Sequence, residues 1–133
     1  MLPVPDTSLP KCRGPVLIVD DHAELREAMT YALEAFGYEV MTAADGDEAL
    51  AHLRRGIVPS LIVLDLDMPG KDGWTFRMEQ TSDPKLAAIP TVITSGGGSL
   101  LPRAAALGIA GYVDKSTGVD ALLDLVERHC LRN

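Results

Sequence analysis

The segment Leu64-Asp65-Leu66-Asp67 places two carboxylates one residue apart at the end of an apolar run, and a second acidic pair, Asp20-Asp21, ends another apolar run. Two more apolar runs end in polar groups that can do chemistry, one in Thr94-Ser95 and one in Asp114-Lys115. Carboxylates gathered within a few ångströms cannot all ionise without a counter-charge. The set therefore wants a cation. All-oxygen ligation with a few carboxylates suits a hard, reluctantly dehydrated Mg²⁺, and no His or Cys spacing here suggests zinc. Lys115 and a hydroxyl beside such a site could stabilise the equatorial oxygens of a transferring phosphoryl group. These residue types fit phosphoryl transfer to a carboxylate.

A site of this kind needs strands that deliver their C-terminal ends to one place. Apolar runs at 16–19, 38–42, 61–64, 91–94 and 110–113 alternate with helix-length segments, which predicts five strands in a βα repeat. Several runs are apolar on consecutive residues, as expected of a parallel sheet covered on both faces. The fold class is α/β, a doubly wound five-stranded parallel sheet with five helices. In such sheets ligands bind beyond the carboxyl ends of the strands, where the strand order reverses.

The helices are marked by apolar stripes and stop signals. Over 22–36, Leu25, Ala28, Met29, Ala32, Leu33 and Phe36 recur at three-and-four spacing, with Gly37 as a left-handed stop. Asp45 caps a second helix ended by Gly56 and Pro59, and a third spans about 74–82. A short fourth helix is expected over 102–107 after Gly96-Gly97-Gly98, and a fifth carries Val119, Leu122, Leu123, Val126 and Cys130. Residues 1–14, with Pro3, Pro5 and Pro10, are read as a flexible N-terminal segment preceding a domain over 15–133.

Composition narrows the function classes. A chain of 133 residues with 47% hydrophobic content supports one core. A net charge of -7 repels nucleic acid and anionic membrane. No apolar run reaches the roughly eighteen residues of a span, and the start lacks a signal-peptide pattern, so a cytoplasmic location is expected. Cys12 and Cys130 lack metal spacing and are read as two reduced thiols.

Over residues 15–131 the chain resembles the receiver domains of two-component response regulators. The pieces that carry this are Asp20-Asp21, Asp45-Gly46-Asp47-Glu48-Ala49-Leu50, Asp65 with Met68-Pro69-Gly70-Lys71-Asp72-Gly73, Pro90 leading to Ser95, and Gly111-Tyr112-Val113 before Lys115. The resemblance implies a flavodoxin-like strand order 2-1-3-4-5. It also assigns roles, with Asp65 as the phosphoacceptor and Asp21, Asp65 and the Asp67 carbonyl as Mg²⁺ ligands. Asp20 would act mainly through bound water. Lys115 and Ser95 would hold phosphoryl oxygens, and Tyr112 would be an aromatic switch coupled to Ser95. The implied partners are a sensor histidine kinase or histidine phosphotransfer protein, and a downstream target or separate output domain. No output module is expected within 15–133, and a homodimer would use the face of the fourth helix, fifth strand and fifth helix. Leu122 and Leu125 are expected to leave apolar surface there.

Three departures from the family pattern stand out. Ser116 follows Lys115 where receivers usually have proline, which predicts a trans bond or a local rearrangement because a non-proline cis bond costs roughly 3 kcal/mol. The interval from Ser95 to Lys115 is short, and Asp67 adds an acid beside the acceptor. Two other readings compete with a phosphorylation switch. Asp65-Leu66-Asp67 also resembles the DxD motif of haloacid-dehalogenase-type phosphatases, although there the DxD precedes the acidic pair. A degenerate receiver acting only as a binding module is the other. His22, His52 and His129 belong to no constellation, and His22 is expected to be exposed.

Overall fold

The computed structural model describes residues 12, 14–66, 73–96 and 108–130. Their order is β1 (Val16–Val19), α1 (Ala23–Ala35), β2 (Val40–Ala43), α2 (Gly46–Arg54), β3 (Leu61–Asp65), α3 (Gly73–Ser82), α4 (Pro84–Ala87), β4 (Thr91–Ser95) and β5 (Gly111–Asp114). A 3-10 turn over Lys115–Thr117 then leads into α5 (Val119–Cys130). All strand pairs are parallel, and the sheet order is β2-β1-β3-β4-β5. This is the doubly wound, flavodoxin-like α/β fold expected from the sequence.

Side-chain alternation explains why the strands read as continuous apolar runs. Leu17 and Val19 of β1, with Ile62 and Leu64 of β3, enter a core with Leu50 of α2 and Phe76 of α3. Val16, Ile18, Leu61 and Val63 point the other way, into a core with Met29 and Leu33 of α1 and Leu122, Val126 and Cys130 of α5. Helices on both faces leave no face of the central strands for polar residues. Each fully buried aliphatic side chain of this kind stabilises the fold by roughly 1.5–3 kcal/mol relative to an exposed one.

Local chemistry sets the helix ends. Asp45 Oδ1 accepts the Glu48 N–H at 2.8 Å, and Glu48 Oε2 accepts the Ala44 N–H at 3.0 Å, a reciprocal cap at the start of α2. Gly37 and Gly56 take the left-handed stops expected of them, at φ of 90° and 94°. The single turn α4 was not expected. Asp83 caps it through the Lys85 N–H at 2.9 Å, and Pro84 sits where a helix tolerates proline. The helix expected over 102–107 lies outside the described residues.

Four expectations need correction or narrowing. Ala28 and Phe36 of the α1 stripe are exposed, since the apolar contact is made by Met29 and Leu33 while Phe36 sits at the C-cap. Leu122 is buried in the core and Leu125 packs against it, so Leu122 adds no apolar surface. Cys12 and Cys130 are not two free thiols; they form a disulfide with their Cα atoms 5.0 Å apart. Their sequence separation hid what the fold does, because the segment before β1 ends beside the last turn of α5. Cys12 and Gly14, both within the segment read as flexible, are tied down. Gly14 N–H donates to Ser60 Oγ at 2.7 Å, and Ser60 Oγ donates back to the Gly14 carbonyl at 3.0 Å.

Candidate active site

The sheet order places β1 beside β3, with α1 leaving from one and α3 following the other. That junction is the topological switch point of the sheet. The register pairs Val19 with Leu64, so the next residue on each strand, Asp20 and Asp65, extends over the C-terminal edge side by side. Asp65 is 0% exposed and Asp20 is 1% exposed. Burying two carboxylates so completely would be costly without compensating charge.

Lys115 supplies part of that charge. Its Nζ lies 3.0 Å from Asp65 Oδ2 and 3.1 Å from Asp20 Oδ2. Burial pulls the Lys115 ammonium toward losing its proton, but hydrogen bonding and attraction from Asp65, then from Asp20, outweigh this and hold its pKa above the ordinary lysine value. Lys115 opens the 3-10 turn that follows β5, directly past the strand end at Asp114. The Lys115–Ser116 bond is trans, as the absence of proline predicts, since the described residues contain no cis peptide.

Asp21 joins the same cluster. One carboxylate oxygen from each of Asp20, Asp21 and Asp65, with a ring nitrogen of His22, lie within 4.8 Å of one another. Asp21 Oδ1 is buried and accepts no hydrogen bond among the described residues. Three carboxylates against one ammonium leave excess negative charge aimed at one point. The oxygen donor set fits a hard divalent cation such as Mg²⁺.

His22 was missed by the sequence reading. Its side chain is 64% exposed, as expected, yet Nδ1 sits 3.2 Å from Asp20 Oδ1 and 3.3 Å from Asp21 Oδ1. The His22 N–H also donates to Asp20 Oδ1 at 2.8 Å, so the start of α1 holds the Asp20 carboxylate in place. Direct adjacency to the acid pair was the available signal. Arg26, one turn into α1, donates from Nη1 to the Asp20 carbonyl at 2.7 Å, a contact no motif announced.

The remaining candidates separate by strand face. Ser95 is fully buried at the C-terminal end of β4, one residue past Thr94, which pairs with Asp65. Thr94 points to the opposite face, into a cavity of about 60 Å³ that it lines with Leu25, Met29 and Lys115 among others. Its Oγ1 makes no hydrogen bond among the described residues. Tyr112 is half-buried on β5 against the core of α2 and α3, and its hydroxyl is also buried without a hydrogen bond among the described residues. Asp67 and the short segment 97–107 lie outside the described residues. Gly73 opens α3 directly beneath the site, where an added Cβ would fall on the Asp65 carbonyl oxygen and the Leu66 Cα.

The arrangement has counterparts among known proteins. The response regulator receiver domain family matches residues 16–127. The chain is 37% identical over 119 residues to protein-glutamate methylesterase/protein-glutamine glutaminase 3 of Rhodospirillum rubrum, covering 87% of this chain and 32% of that protein. It is 36% identical over 102 residues to the probable transcriptional regulator ycf27 of Porphyra purpurea, covering 75% of this chain and 40% of that one. The chain thus spans about a third to two fifths of the length of these relatives. Among solved structures, chemotaxis protein CheY4 of Vibrio cholerae superposes with a TM-score of 0.78 at 29% identity, covering 87% of this chain and 98% of that one. TrrA of Thermotoga maritima, solved in complex with Mg²⁺ and BeF, superposes with a TM-score of 0.77 at 29% identity, covering 86% of this chain and 97% of that one. Receiver domains are signalling modules rather than conventional enzymes, and they work with histidine kinases and downstream targets. The matched span, the sheet order and the acidic cleft together establish that the chain belongs to the response regulator receiver family of two-component signalling.

Proposed function

We propose that this receiver accepts a phosphoryl group on Asp65 from a phosphohistidine of a sensor histidine kinase or histidine phosphotransfer protein, and so switches protein contacts in a phosphorelay. The observation that carries the reading is the convergence of Asp65, Asp20 and Lys115 at one strand-end cleft, with Lys115 Nζ at 3.0 Å from the Asp65 carboxylate. A carboxylate oxygen of Asp65 attacks phosphorus in line, the imidazole leaves, and an acyl phosphate results. Lys115 then moves its contact from the carboxylate to a phosphoryl oxygen, and the Ser95 hydroxyl donates to another.

Asp21 and Asp65, with the Asp67 carbonyl, are the ligands proposed for Mg²⁺, and Asp20 acts mainly through water. The ion, when bound, neutralises charge building on the phosphoryl oxygens. Asp20 and Asp21 contribute beyond ligation by keeping the cleft negative until it is loaded, which biases it toward a divalent cation. Drawing Ser95 toward the phosphate leaves room for Tyr112 to turn inward, and this changes the surface around β5 and α5. The chain is not an enzyme on other substrates; its only catalysis is its own phosphotransfer and autodephosphorylation. The working unit is a domain over 15–133 in the cytoplasm, and a homodimer through the β5 and α5 face is the proposed self-association.

The test is incubation with a small phosphodonor and Mg²⁺, read by intact mass. A one-phosphoryl adduct in the wild type and none in Asp65→Asn is expected. An adduct that persists in Asp65→Asn would overturn the assignment.

A further inference from the structure

We propose that Cys12 and Cys130 form a reversible thiol–disulfide site, exchanged with a dithiol/disulfide couple, that locks the segment before β1 to the last turn of α5 independently of phosphorylation. The bond joins residues 118 apart in sequence, so it closes nearly the whole chain into one loop. It does so where the segment before β1 meets the C-terminal end of α5. Cys130 is the last residue of α5 and is 1% exposed, packed with Val126 and Leu122 on the core. Cys12 is only partly buried and reaches that core from outside. Beyond it the chain is pinned by the paired Gly14–Ser60 hydrogen bonds and by the Ser60 N–H to the Pro15 carbonyl at 2.9 Å.

The asymmetry in burial sets the order of exchange. A thiolate of the reductant attacks the accessible Cys12 Sγ, forming a mixed disulfide there. The Sγ–Sγ bond breaks with its electron pair on Cys130 Sγ, which takes up a proton. The second thiol of the reductant then displaces Cys12, which also ends as a thiol, and the reductant leaves as its own cyclic disulfide. Two electrons and two protons pass from the dithiol to the protein, and oxidation reverses each step. The Cys130 thiolate leaves into apolar surroundings, which disfavour it. Exchange is therefore slow while α5 stays docked and accelerates when its last turn opens. The phosphoacceptor cleft lies at the opposite end of the strands, since Val16 begins β1 and Asp20 follows it. The lock thus acts on α5 and the chain start without touching Asp65.

The full chain is equilibrated in buffers of graded dithiol-to-disulfide ratio, quenched by alkylation and weighed intact. Zero alkylations at the oxidising end and two at the reducing end, with almost no singly labelled form, are expected. The oxidised protein should melt roughly 10 °C above the reduced one, because cross-linking a loop this long removes much denatured-state entropy. Cys12→Ser should melt near the reduced wild type and ignore reductant, and hydrogen exchange should quicken on reduction at 126–130 but not at 61–65. Phosphodonor labelling of Asp65 is run on both forms and should succeed in both, so its failure would count against the acceptor reading and not against the lock. Two alkylations of the native protein at every ratio, or identical melting of the oxidised and reduced forms, would overturn the proposal.

Discussion

Lys115 Nζ stands 3.0 Å from Asp65 Oδ2 and bridges that carboxylate to Asp20 Oδ2 at 3.1 Å, so one ammonium serves two acids that the sheet has buried almost completely. Removing one member of a buried charge set leaves the others uncompensated, at about 3 kcal/mol or more. Lys115→Gln should therefore lose about 2–3 kcal/mol in urea unfolding at neutral pH, since the side chain is 19% exposed and water screens part of the effect. Millimolar Mg²⁺ should restore much of the loss, because a divalent ion can supply the missing positive charge. A Lys115→Gln protein as stable as wild type without metal would contradict this account of the cleft.

Gly73 shows how the same cleft depends on backbone approach. An added Cβ would meet the Asp65 carbonyl oxygen and the Leu66 Cα, both main-chain atoms with no freedom to swing away. Gly73→Ala should force α3 away from the end of β3, costing about 1–3 kcal/mol in the manner of core overpacking. It should also slow phosphodonor labelling of Asp65 while leaving the fold intact by circular dichroism. Unchanged labelling and unchanged stability together would show that α3 can shift freely.

What the sequence made legible follows from how local each signal is. The strands, the Asp45 cap and the glycine stops depend on residues within a few positions of one another, and the sheet and helices formed around them as expected. The cleft was legible because Asp20, Asp65 and Lys115 each end a strand, and a parallel sheet collects such ends on one edge. The Cys12–Cys130 pairing was not, since the two cysteines stand 118 positions apart and nothing between them signals that the chain start and α5 finish together. His22 was set aside as a lone histidine, although its position directly after Asp21 already implied contact with the acids. Leu122 was taken as surface because helix periodicity gives a stripe without saying how wide the covered face is.

Arg77 is more deeply buried than Lys115, at the other end of the sheet. Nη1 donates to Gln80 Oε1 at 2.8 Å and Thr91 Oγ1 at 3.1 Å, while Nη2 donates to the Gly108 carbonyl at 3.0 Å. Burial lowers its pKa from the ordinary arginine value. The network ties α3 to the start of β4 and to the chain approaching β5. Arg77→Ala removes donors from three buried or partly buried acceptors, so a loss of about 3 kcal/mol is expected in urea unfolding. Arg77→Met, which keeps most of the volume, should lose less, and equal losses in the two variants would mean that the hydrogen bonds, which both remove, outweigh packing.

Tyr38 gives a pH signature separate from the cleft. It is 6% exposed in the core beneath α1 and α5, and burial, with a smaller contribution from the Glu127 charge, raises its pKa above the ordinary tyrosine value of 10.0. A raised folded-state pKa means that the folded protein holds this proton more tightly than the unfolded chain. The stabilisation is complete below about pH 10, where both states keep the proton, and is lost as pH climbs through the folded value. Tyr38→Phe keeps the ring and removes the titrating hydroxyl. Its stability should fall less steeply than that of wild type above pH 10 and run parallel to it between pH 7 and 9, as read from urea midpoints at each pH. Lys115, also raised by its partners, loses stabilisation in the same alkaline range and should remain visible in Tyr38→Phe as a residual slope. Identical alkaline slopes for the two proteins would exclude Tyr38 as a source of the loss.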